Sequence, residues 1–228
     1  MKQVTDGLWQ ISSIGPQVIN AYVLGDVLVD SLTRHSARRI LSQLEGHEIA
    51  AHAFTHVHPD HQGASKEVSE ALGVPVWCAE RDADAAEDPS LIRERQPNHP
   101  IARLWGLLFT GPAVKVDRVL REGDEVGGFT VLDTPGHSAG HVAYWREFDR
   151  VLVLGDVLTN MNTITLLRGL HEPKSFLTPD PTRNRESIRR LAALEPALVC
   201  FGHGPPLRDP RKLTEFASKL PEGVGARS

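Results

Sequence analysis

The chain has 228 residues, a length that fits one domain, and 40% of them are hydrophobic and 24% charged. This composition is typical of a globular protein and excludes the collagen-like, disulfide-rich and strongly disordered classes. A formal net charge of -4 provides no general attraction for nucleic acid or anionic lipid, so we expect neither as a partner. Eleven histidines accompany only two cysteines, Cys78 and Cys200, so histidine and carboxylate are the expected ligands of any metal.

The N-terminal segment, MKQVTDGLWQISSIG, has no apolar stretch of the kind that a secretory signal requires. Elsewhere, no run approaches the roughly 18 consecutive apolar residues of a membrane span. We therefore expect a cytoplasmic protein that does not associate with a membrane.

Short strands and helices alternate in the first part of the chain. Residues 21–24 and 27–29 flank a Gly25-Asp26 turn signal and are predicted to form a β-hairpin. Apolar residues at helical spacing predict a helix over residues 34–44. The pattern then predicts a strand, a helix and a strand over residues 49–55, 62–72 and 74–79. Such alternation indicates an α/β layered fold.

The stretch near residues 87–113 interrupts this alternation. It contains four prolines and the apolar segment Leu104-Trp105-Gly106-Leu107-Leu108-Phe109. Because proline disrupts both helices and strands, we interpret the stretch as a lid or insertion within a single domain that spans residues 1–228.

The second half returns to short strands followed by helices. The predicted strands cover residues 114–119, 129–132, 141–145, 151–154 and 197–201. The predicted helices cover residues 181–194 and 211–220. Both halves run from strands to helix, so we expect two similar layers packed face to face.

Four side chains that can bind metal lie within six residues at the end of the predicted strand 49–55: His56, His58, Asp60 and His61. Crowded imidazoles repel one another when protonated and lose solvation when neutral, whereas a divalent metal uses their lone pairs. In an extended backbone His56 and His58 project to the same side, and Pro59 then turns the chain. The segment can therefore serve two metals. The alternative is an incidental histidine-rich surface loop.

Three more candidate ligands follow other predicted strands. They are His137 in TPGH, Asp156 in LGD and His203 in FGHG, and each lies next to a glycine. Small neighbours allow a loop to approach a cation closely. The pattern therefore favours a metal site built from several strand ends.

These motifs resemble those of the metallo-β-lactamase superfamily, in the same order and over nearly the whole chain: THVHPDH, TPGHSAGH, LGD and FGHG. The resemblance implies a four-layer αβ/βα sandwich with the site at one edge between two sheets. It implies a first metal bound by His56, His58 and His137. It also implies a second metal bound by Asp60, His61 and His203, with Asp156 bridging the two.

Two cations about 3.5 to 4 Å apart can share a hydroxide, polarise a carbonyl and stabilise the leaving atom. We therefore expect a hydrolase that attacks an ester-type carbonyl, in a thioester, a lactone or a related acyl compound. Asp60 is also predicted to be catalytic, by orienting the hydroxide or relaying its proton. The ligand types favour zinc and also suit iron and manganese.

Differences between this chain and individual subfamilies restrict the expected substrates. True metallo-β-lactamases lack the bridging aspartate, so Asp156 leaves β-lactam hydrolysis only as a weak side activity. Glyoxalase II enzymes share the seven ligands but carry a glutathione-binding C-terminal region, and only 25 residues follow His203 here. We therefore expect a substrate other than a glutathione thioester. An iron-dependent oxidoreductase of the sulfur dioxygenase type is the alternative function.

Further residues are assigned by their surroundings in the sequence. His141 is predicted to form a hydrogen bond to a metal ligand or to the local backbone. Asp30 has two open interpretations, a role near the site and a turn or helix-capping role. The remaining histidines are expected at the surface or in satisfied interior positions: His35, His47, His52, His99 and His171.

Two apolar segments, residues 104–109 and 158–167, bear on the partners of this protein. They favour a small-molecule substrate with an apolar acyl portion, or a contact between two copies in a homodimer. The sequence leaves both interpretations open.

Overall fold

The computed structural model describes residues 1–13, 15 and 17–221. Within them the strands are β1 (Lys2–Thr5), β2 (Leu8–Ser12), β3 (Asn20–Leu24), β4 (Val27–Val29), β5 (Ala51–Ala53), β6 (Val76–Ala79), β7 (Arg118–Leu120), β8 (Glu125–Val126), β9 (Phe129–Asp133), β10 (Val142–Arg146), β11 (Val151–Val153), β12 (Thr159–Met161), β13 (Arg168–His171) and β14 (Leu198–Cys200). The helices are α1 (Ala37–Leu44), α2 (Pro59–Gln62), α3 (Ser65–Leu72), α4 (Ala83–Glu87), α5 (Ser90–Glu94), α6 (Pro100–Phe109), α7 (Pro181–Ala192) and α8 (Pro210–Ser218), with a 3₁₀ helix at Ser175–Leu177.

Two main sheets form the centre of the fold. The first has strand order β1-β2-β3-β4-β5-β6-β7, antiparallel from β1 to β4 and parallel from β4 to β7. The second has strand order β14-β11-β10-β9-β8, in which only β14 and β11 pair in parallel. Strands β12 and β13 form a separate antiparallel pair. The predicted hairpin between β3 and β4 is confirmed, with Leu24 opposite Val27.

The inner core lies between the two sheets. Alternate residues of a strand point to opposite faces, so Tyr22 and Leu24 of β3 face inward while Val23 faces outward. Val142 and Tyr144 of β10 meet them from the second sheet, and these side chains are at most 1% exposed. The two sheets therefore share one apolar layer.

Helices cover the outer face of each sheet. On the first sheet, Val23 packs with Ile40 of α1 and Val68 of α3. On the second, Leu152 packs with Leu191 of α7 and with α8. The order helix, sheet, sheet, helix confirms the predicted four-layer αβ/βα sandwich.

Of the helix predicted over residues 62–72, the structure forms α3, and Gln62 ends the separate helix α2, because the chain turns away between α2 and α3. There Gly63 donates its N–H to the carbonyl of Leu32, and Ala64 donates to Ser31 Oγ. These two N–H groups therefore donate to the loop after β4, and they do not continue the hydrogen-bond pattern of a helix. A Cβ at Gly63 would lie 2.3 Å from the Arg34 nitrogen, so this close approach requires glycine.

The predicted lid segment, residues 87–113, contains α5 and α6. Its end is held by Gln62, which donates to the Pro112 carbonyl at 2.8 Å and accepts from the Gly111 N–H at 3.1 Å. The assignment of residues 1–228 to one domain stays a prediction. Among the described residues, every helix is too short or too polar to cross a membrane.

Candidate metal centre

The predicted ligand residues all follow the carboxyl ends of strands. His56 and the turn with His61 come after β5, and His137 lies in the loop after β9. Asp156 follows β11, and His203 follows β14. Strand β5 belongs to the first sheet, and strands β9, β11 and β14 belong to the second. The loops that follow these four strands meet at one edge of the sandwich.

The structure brings all seven predicted residues together and buries them, and we call this set the His–Asp cluster: His56, His58, Asp60, His61, His137, Asp156 and His203. Three groups within it each have their candidate ligand atoms within 4.8 Å of one another. Those groups are His56, His58 and His137; His56, His61 and Asp156; and Asp60, His61 and His203. The first and third match the two sets that the sequence motifs imply.

Asp156 lies between these groups. Its Oδ2 atom is 3.7 Å from His137 Nε2, 3.6 Å from His61 Nε2 and 2.9 Å from His203 Nε2. One carboxylate oxygen therefore reaches histidines of both predicted sets.

Four imidazoles of the cluster are oriented through Nδ1. The partners are Thr55 Oγ1 at 3.0 Å for His56, Asp30 Oδ2 at 2.9 Å for His61, Thr178 Oγ1 at 3.1 Å for His137 and the Val18 carbonyl at 2.6 Å for His203. A hydrogen bond at one ring nitrogen fixes the ring and leaves the other nitrogen for a metal. In each of these rings Nε2 is the nitrogen that remains for the cluster.

Asp30 lies beside the site, which decides between its two interpretations. Besides His61, its carboxylate accepts hydrogen bonds from the backbone N–H and the hydroxyl of Thr55, both at 2.8 Å. Asp30 itself has φ of 62°, a left-handed conformation that is costly outside glycine. The fold thus holds Asp30 in a strained conformation in which it orients His61.

The donor set fits a divalent cation. Nε2 of His56, His61 and His137 and Oδ1 of Asp156 are buried and make no hydrogen bond to the described residues. A buried polar atom without a partner costs roughly 1–3 kcal/mol. A cation bound by these lone pairs would remove that cost, so the residues present suit a divalent metal centre.

The two halves of the cluster differ in charge. Burial and the neighbouring histidines hold the pKa values of His56 and His137 well below the usual range. Burial also opposes protonation of His203, but Asp156 and Asp60 outweigh it and raise the pKa of His203 to about 10. The half that contains Asp60, Asp156 and His203 is rich in carboxylates and therefore favours positive charge. The half that contains His56 and His137 offers neutral nitrogens.

Asp60 belongs to the carboxylate-rich half. Burial favours its protonated form, yet the contact with His203, whose Nε2 lies 3.3 Å from Asp60 Oδ2, brings the pKa of Asp60 down to about 2. Asp60 is therefore an anion near neutral pH.

His141 has the hydrogen-bonding role predicted for it. Its Nε2 accepts the backbone N–H of Asp156 at 3.1 Å, and its Nδ1 lies 2.8 Å from Thr134 Oγ1. Because Nε2 accepts, the proton of this neutral ring is on Nδ1, and burial lowers the pKa of His141 to about 3. His141 thus holds the loop that carries Asp156.

The glycine next to His203 permits the close approach that the sequence indicates. A Cβ at Gly202 would lie 2.0 Å from Asp156 Oδ1 and 2.7 Å from His61 Cε1. Only glycine leaves room for both side chains at this position.

Two buried tyrosines support the loops of the cluster from below. The Tyr144 hydroxyl donates to the Phe54 carbonyl at 2.5 Å, and the Tyr22 hydroxyl donates to the Phe201 carbonyl at 2.8 Å. Each accepting carbonyl lies two residues before a predicted ligand, His56 or His203. Both tyrosines therefore lie beneath the site and position the backbone of the loops that carry these ligands.

The sequence reasoning missed Asp82, a buried residue between β6 and α4. It accepts hydrogen bonds from the Val57 N–H at 3.2 Å, the Ser138 hydroxyl at 2.7 Å and the Gly140 N–H at 2.8 Å. Val57 lies between two predicted ligands, and Ser138 directly follows His137. No motif surrounds Asp82, so nothing in the local sequence indicates that it ties these two loops together.

Gln96, in the loop between α5 and α6, was also missed. Its Nε2 lies 2.5 Å from His58 Nε2, and its buried Oε1 has no hydrogen-bond partner among the described residues. The segment that was predicted to form a lid thus places an amide directly against the His–Asp cluster.

A cavity opens above the cluster, and its empty space, including the open mouth, is about 810 Å³. Asp60, Asp156 and His203 form part of its floor, and Trp105 and Phe176 are among its apolar walls. A concave site with apolar walls and a few polar groups in its floor is the usual form of a small-molecule site.

The two apolar segments each divide between cavity and surface. In α6, Trp105 lines the cavity, whereas Leu104 and Leu107 are 56% and 65% exposed. After β12, Ile164 lines the cavity, whereas Leu167 is 67% exposed. Both interpretations of these segments, substrate contact and contact with a second copy, stay predictions.

Comparison with known proteins gives consistent matches. The model of the family described as "Metallo-beta-lactamase superfamily" matches residues 14–203. A Bacillus subtilis (strain 168) protein called "Probable metallo-hydrolase YflN" is 32% identical over 217 residues, which cover 85% of this chain and 82% of that protein.

A solved structure described as "TTHA1623 in a di-iron-bound form" is 32% identical, has a TM-score of 0.69 and is matched over 93% of this chain and 98% of that one. A hydroxyacylglutathione hydrolase of Bdellovibrio bacteriovorus is 28% identical, over 68% of this chain. The chain spans about half of that hydrolase, 48% of its length. Because the family model covers most of the sequence, this chain belongs to the metallo-beta-lactamase superfamily, as one of its metal-dependent hydrolases.

Proposed function

We propose that this protein is a dinuclear metal-dependent hydrolase that cleaves an ester-type acyl bond, in a thioester, a lactone or a related compound. One cation is held by His56, His58 and His137. The other is held by Asp60, His61 and His203, and Asp156 bridges the two.

The observation that carries this proposal is the convergence of buried donors without partners. Three Nε2 atoms and one carboxylate oxygen point into one space, while hydrogen bonds at Nδ1 hold the rings in place. An arrangement of this kind, costly in itself, is expected where a cation completes the site.

Two bound divalent cations supply Lewis acidity and activate water near neutral pH. Side chains of the cavity orient water and receive the substrate. Asp60 lines the cavity as an anion, so its carboxylate is able to orient water by accepting a hydrogen bond. Trp105 and Phe176 exclude bulk water and receive the apolar portion of an acyl substrate.

Zinc is our leading candidate for the metal because histidine and carboxylate ligands suit it. The same ligands also bind iron, and the similar TTHA1623 structure is described as di-iron-bound. This similarity keeps an iron-dependent oxidoreductase as the second candidate function.

The test combines elemental analysis of the purified protein with a panel of thioesters, lactones, phosphodiesters and β-lactams. We expect about two metals per chain and the highest rates on thioesters or lactones, with β-lactams cleaved weakly. Less than one metal per chain together with no acyl hydrolysis would refute the proposal. Oxygen consumption by iron-loaded protein with a sulfur substrate, without hydrolysis, would instead select the oxidoreductase.

Asp60→Asn tests the catalytic assignment. We expect turnover to fall by about 100-fold or more. Because asparagine is a weaker ligand than aspartate, we also expect weaker binding of the cation assigned to Asp60, His61 and His203, so turnover is measured at saturating metal. Asp209→Asn is the matched control, because asparagine also caps a helix and Asp209 caps α8 outside the cavity lining. Full turnover by Asp60→Asn with full metal content would exclude a catalytic Asp60.

A further inference from the structure

We propose that the cavity above the His–Asp cluster binds an acyl substrate that carries a carboxylate or phosphate group, and that Lys174 and Arg93 receive this anionic group. The inference rests on the proposed function, since it concerns the substrate of the same site. The sequence predicts a substrate with an apolar acyl portion, and the present inference adds an anionic group to that substrate.

The charges around the cavity support an anion. Apart from the histidines, its charged lining residues are Asp60 and Asp156 of the cluster and two cations, Arg93 and Lys174. Both carboxylates lie in the floor with the predicted metal ligands. Among the residues that the structure describes, the walls therefore present positive charge only.

Neither cation is neutralised by a carboxylate. Among residues 1–13, 15 and 17–221, no Asp or Glu oxygen lies within 4 Å of the Arg93 guanidinium or the Lys174 ammonium. By contrast, the neighbouring Arg95 forms an ion pair with Asp84. Lys174 is also partly buried, where attraction between opposite charges is less screened than in open solvent.

The two cations lie on elements that pack against the same helix. Arg93 belongs to α5, and Lys174 directly precedes the 3₁₀ helix; both elements contact α6. The ring of Phe176 stacks on His99 at the start of α6, with ring centroids 4.5 Å apart. The cations and the aromatic residues thus line the same cavity on elements that pack against α6, so a substrate there would contact apolar and cationic groups together.

The experiment compares N-acetylcysteamine thioesters with acyl chains of equal length: hexanoyl (neutral), adipoyl (one carboxylate) and 6-aminohexanoyl (one ammonium). A second pair places the carboxylate on the thiol side, as hexanoyl 3-mercaptopropionate against hexanoyl propanethiol. We expect kcat/KM to be about tenfold higher for the anionic member of at least one pair, consistent with a hydrogen-bonded charge pair.

Lys174→Met and Arg93→Met should each remove most of that preference, by lowering kcat/KM on the anionic thioester more than on the neutral one. Lys174→Glu should reverse the preference, so that kcat/KM is higher for the 6-aminohexanoyl thioester than for the adipoyl thioester. Arg103→Gln is the matched control, because Arg103 is an exposed cation of α6 that does not line this cavity. If Arg103→Gln reduced the preference as much as Lys174→Met, long-range charge and not the cavity would be responsible, and the proposal would be overturned.

Binding separates this proposal from the proposed function. Uncleavable thioether analogues of the same compounds are titrated into the metal-loaded protein and followed by tryptophan fluorescence. Tighter binding of the carboxylate analogue without any turnover of thioesters would keep the anion site and reject the hydrolase assignment. Equal binding of neutral and anionic analogues, with normal turnover, would reject the anion site alone.

Discussion

The carboxylate of Asp82 accepts a hydrogen bond of 2.7 Å from the hydroxyl of Ser138. The same carboxylate binds the backbone N–H of Val57 and of Gly140. It therefore joins the loop after β5 to the loop after β9, one from each sheet. Each loop carries predicted ligands of the same cation, so their relative position depends on Asp82.

Asp82→Asn should weaken metal binding. An amide leaves one acceptor in place of two, so at least one of the three donors loses its partner, and support of this kind contributes about 10- to 100-fold to metal affinity. We expect metal affinity to fall about tenfold, measured by competition with a chromophoric chelator. Asp117→Asn, in an exposed ion pair with Lys115 and outside both the cluster and the cavity lining, should keep wild-type affinity. Unchanged affinity in Asp82→Asn would show that the loops hold their positions without it.

Gly202→Ala should abolish binding of at least one metal. The added Cβ would lie 2.0 Å from Asp156 Oδ1, so the Asp156 side chain must leave its position between the two groups of histidines. Metal content measured by elemental analysis should fall by about half or more. Gly106→Ala is the control: its Cβ would meet nothing closer than 3.9 Å, and it should stabilise α6 by about 1 kcal/mol. Two metals per chain in Gly202→Ala would contradict the assignment of Asp156 as the bridge.

His52 should make stability depend on pH independently of the metal. It is buried between the Leu28 carbonyl and Ser65 Oγ, and burial lowers its pKa from 6.5 to about 4. Above pH 6.5 His52 is neutral in both states and has no effect. As pH falls towards 4, the unfolded chain gains a proton that the folded chain does not, so the free energy of unfolding decreases by about 2 kcal/mol at pH 5.

His52→Gln should remove this pH-dependent loss while keeping a side chain able to form hydrogen bonds at this position. Urea unfolding at pH 7.5 and pH 5 measures it, as the difference between wild type and variant. His47→Gln, at an exposed histidine, serves as the control and should follow the wild type. Parallel losses of stability in wild type and His52→Gln would exclude His52 as the source.

Gln96→Leu should affect catalysis more than metal binding. The amide lies 2.5 Å from His58 Nε2 and its Oε1 has no partner among the described residues, so it faces the end of the cavity where the acyl carbonyl would react. Leucine keeps the volume and removes the hydrogen bonds. We expect kcat/KM to fall about tenfold with metal content unchanged. Gln43→Leu, at a partly buried position of α1 that does not line the cavity, should leave both unchanged. Full activity in Gln96→Leu would assign Gln96 a packing role.

The layered fold and the membership of the His–Asp cluster could be predicted from the amino-acid sequence. His56, His58, Asp60 and His61 are dense enough in sequence to be recognised, and His137, Asp156 and His203 each follow an apolar run beside a glycine. Local signals suffice in these cases because strand ends meet at one edge of a sandwich, and the structure brings the seven residues together as the motifs indicate.

The tertiary structure alone decided what supports and surrounds that cluster. Asp82 and Ser138 are 56 positions apart, and Thr178 and His137 are 41 apart. Neither Asp82 nor Thr178 belongs to a motif. Arg93 and Lys174 likewise resemble ordinary surface cations until α6 brings their elements to one cavity wall. Such contacts depend on the packing of distant segments, and no periodicity or spacing within one segment encodes them.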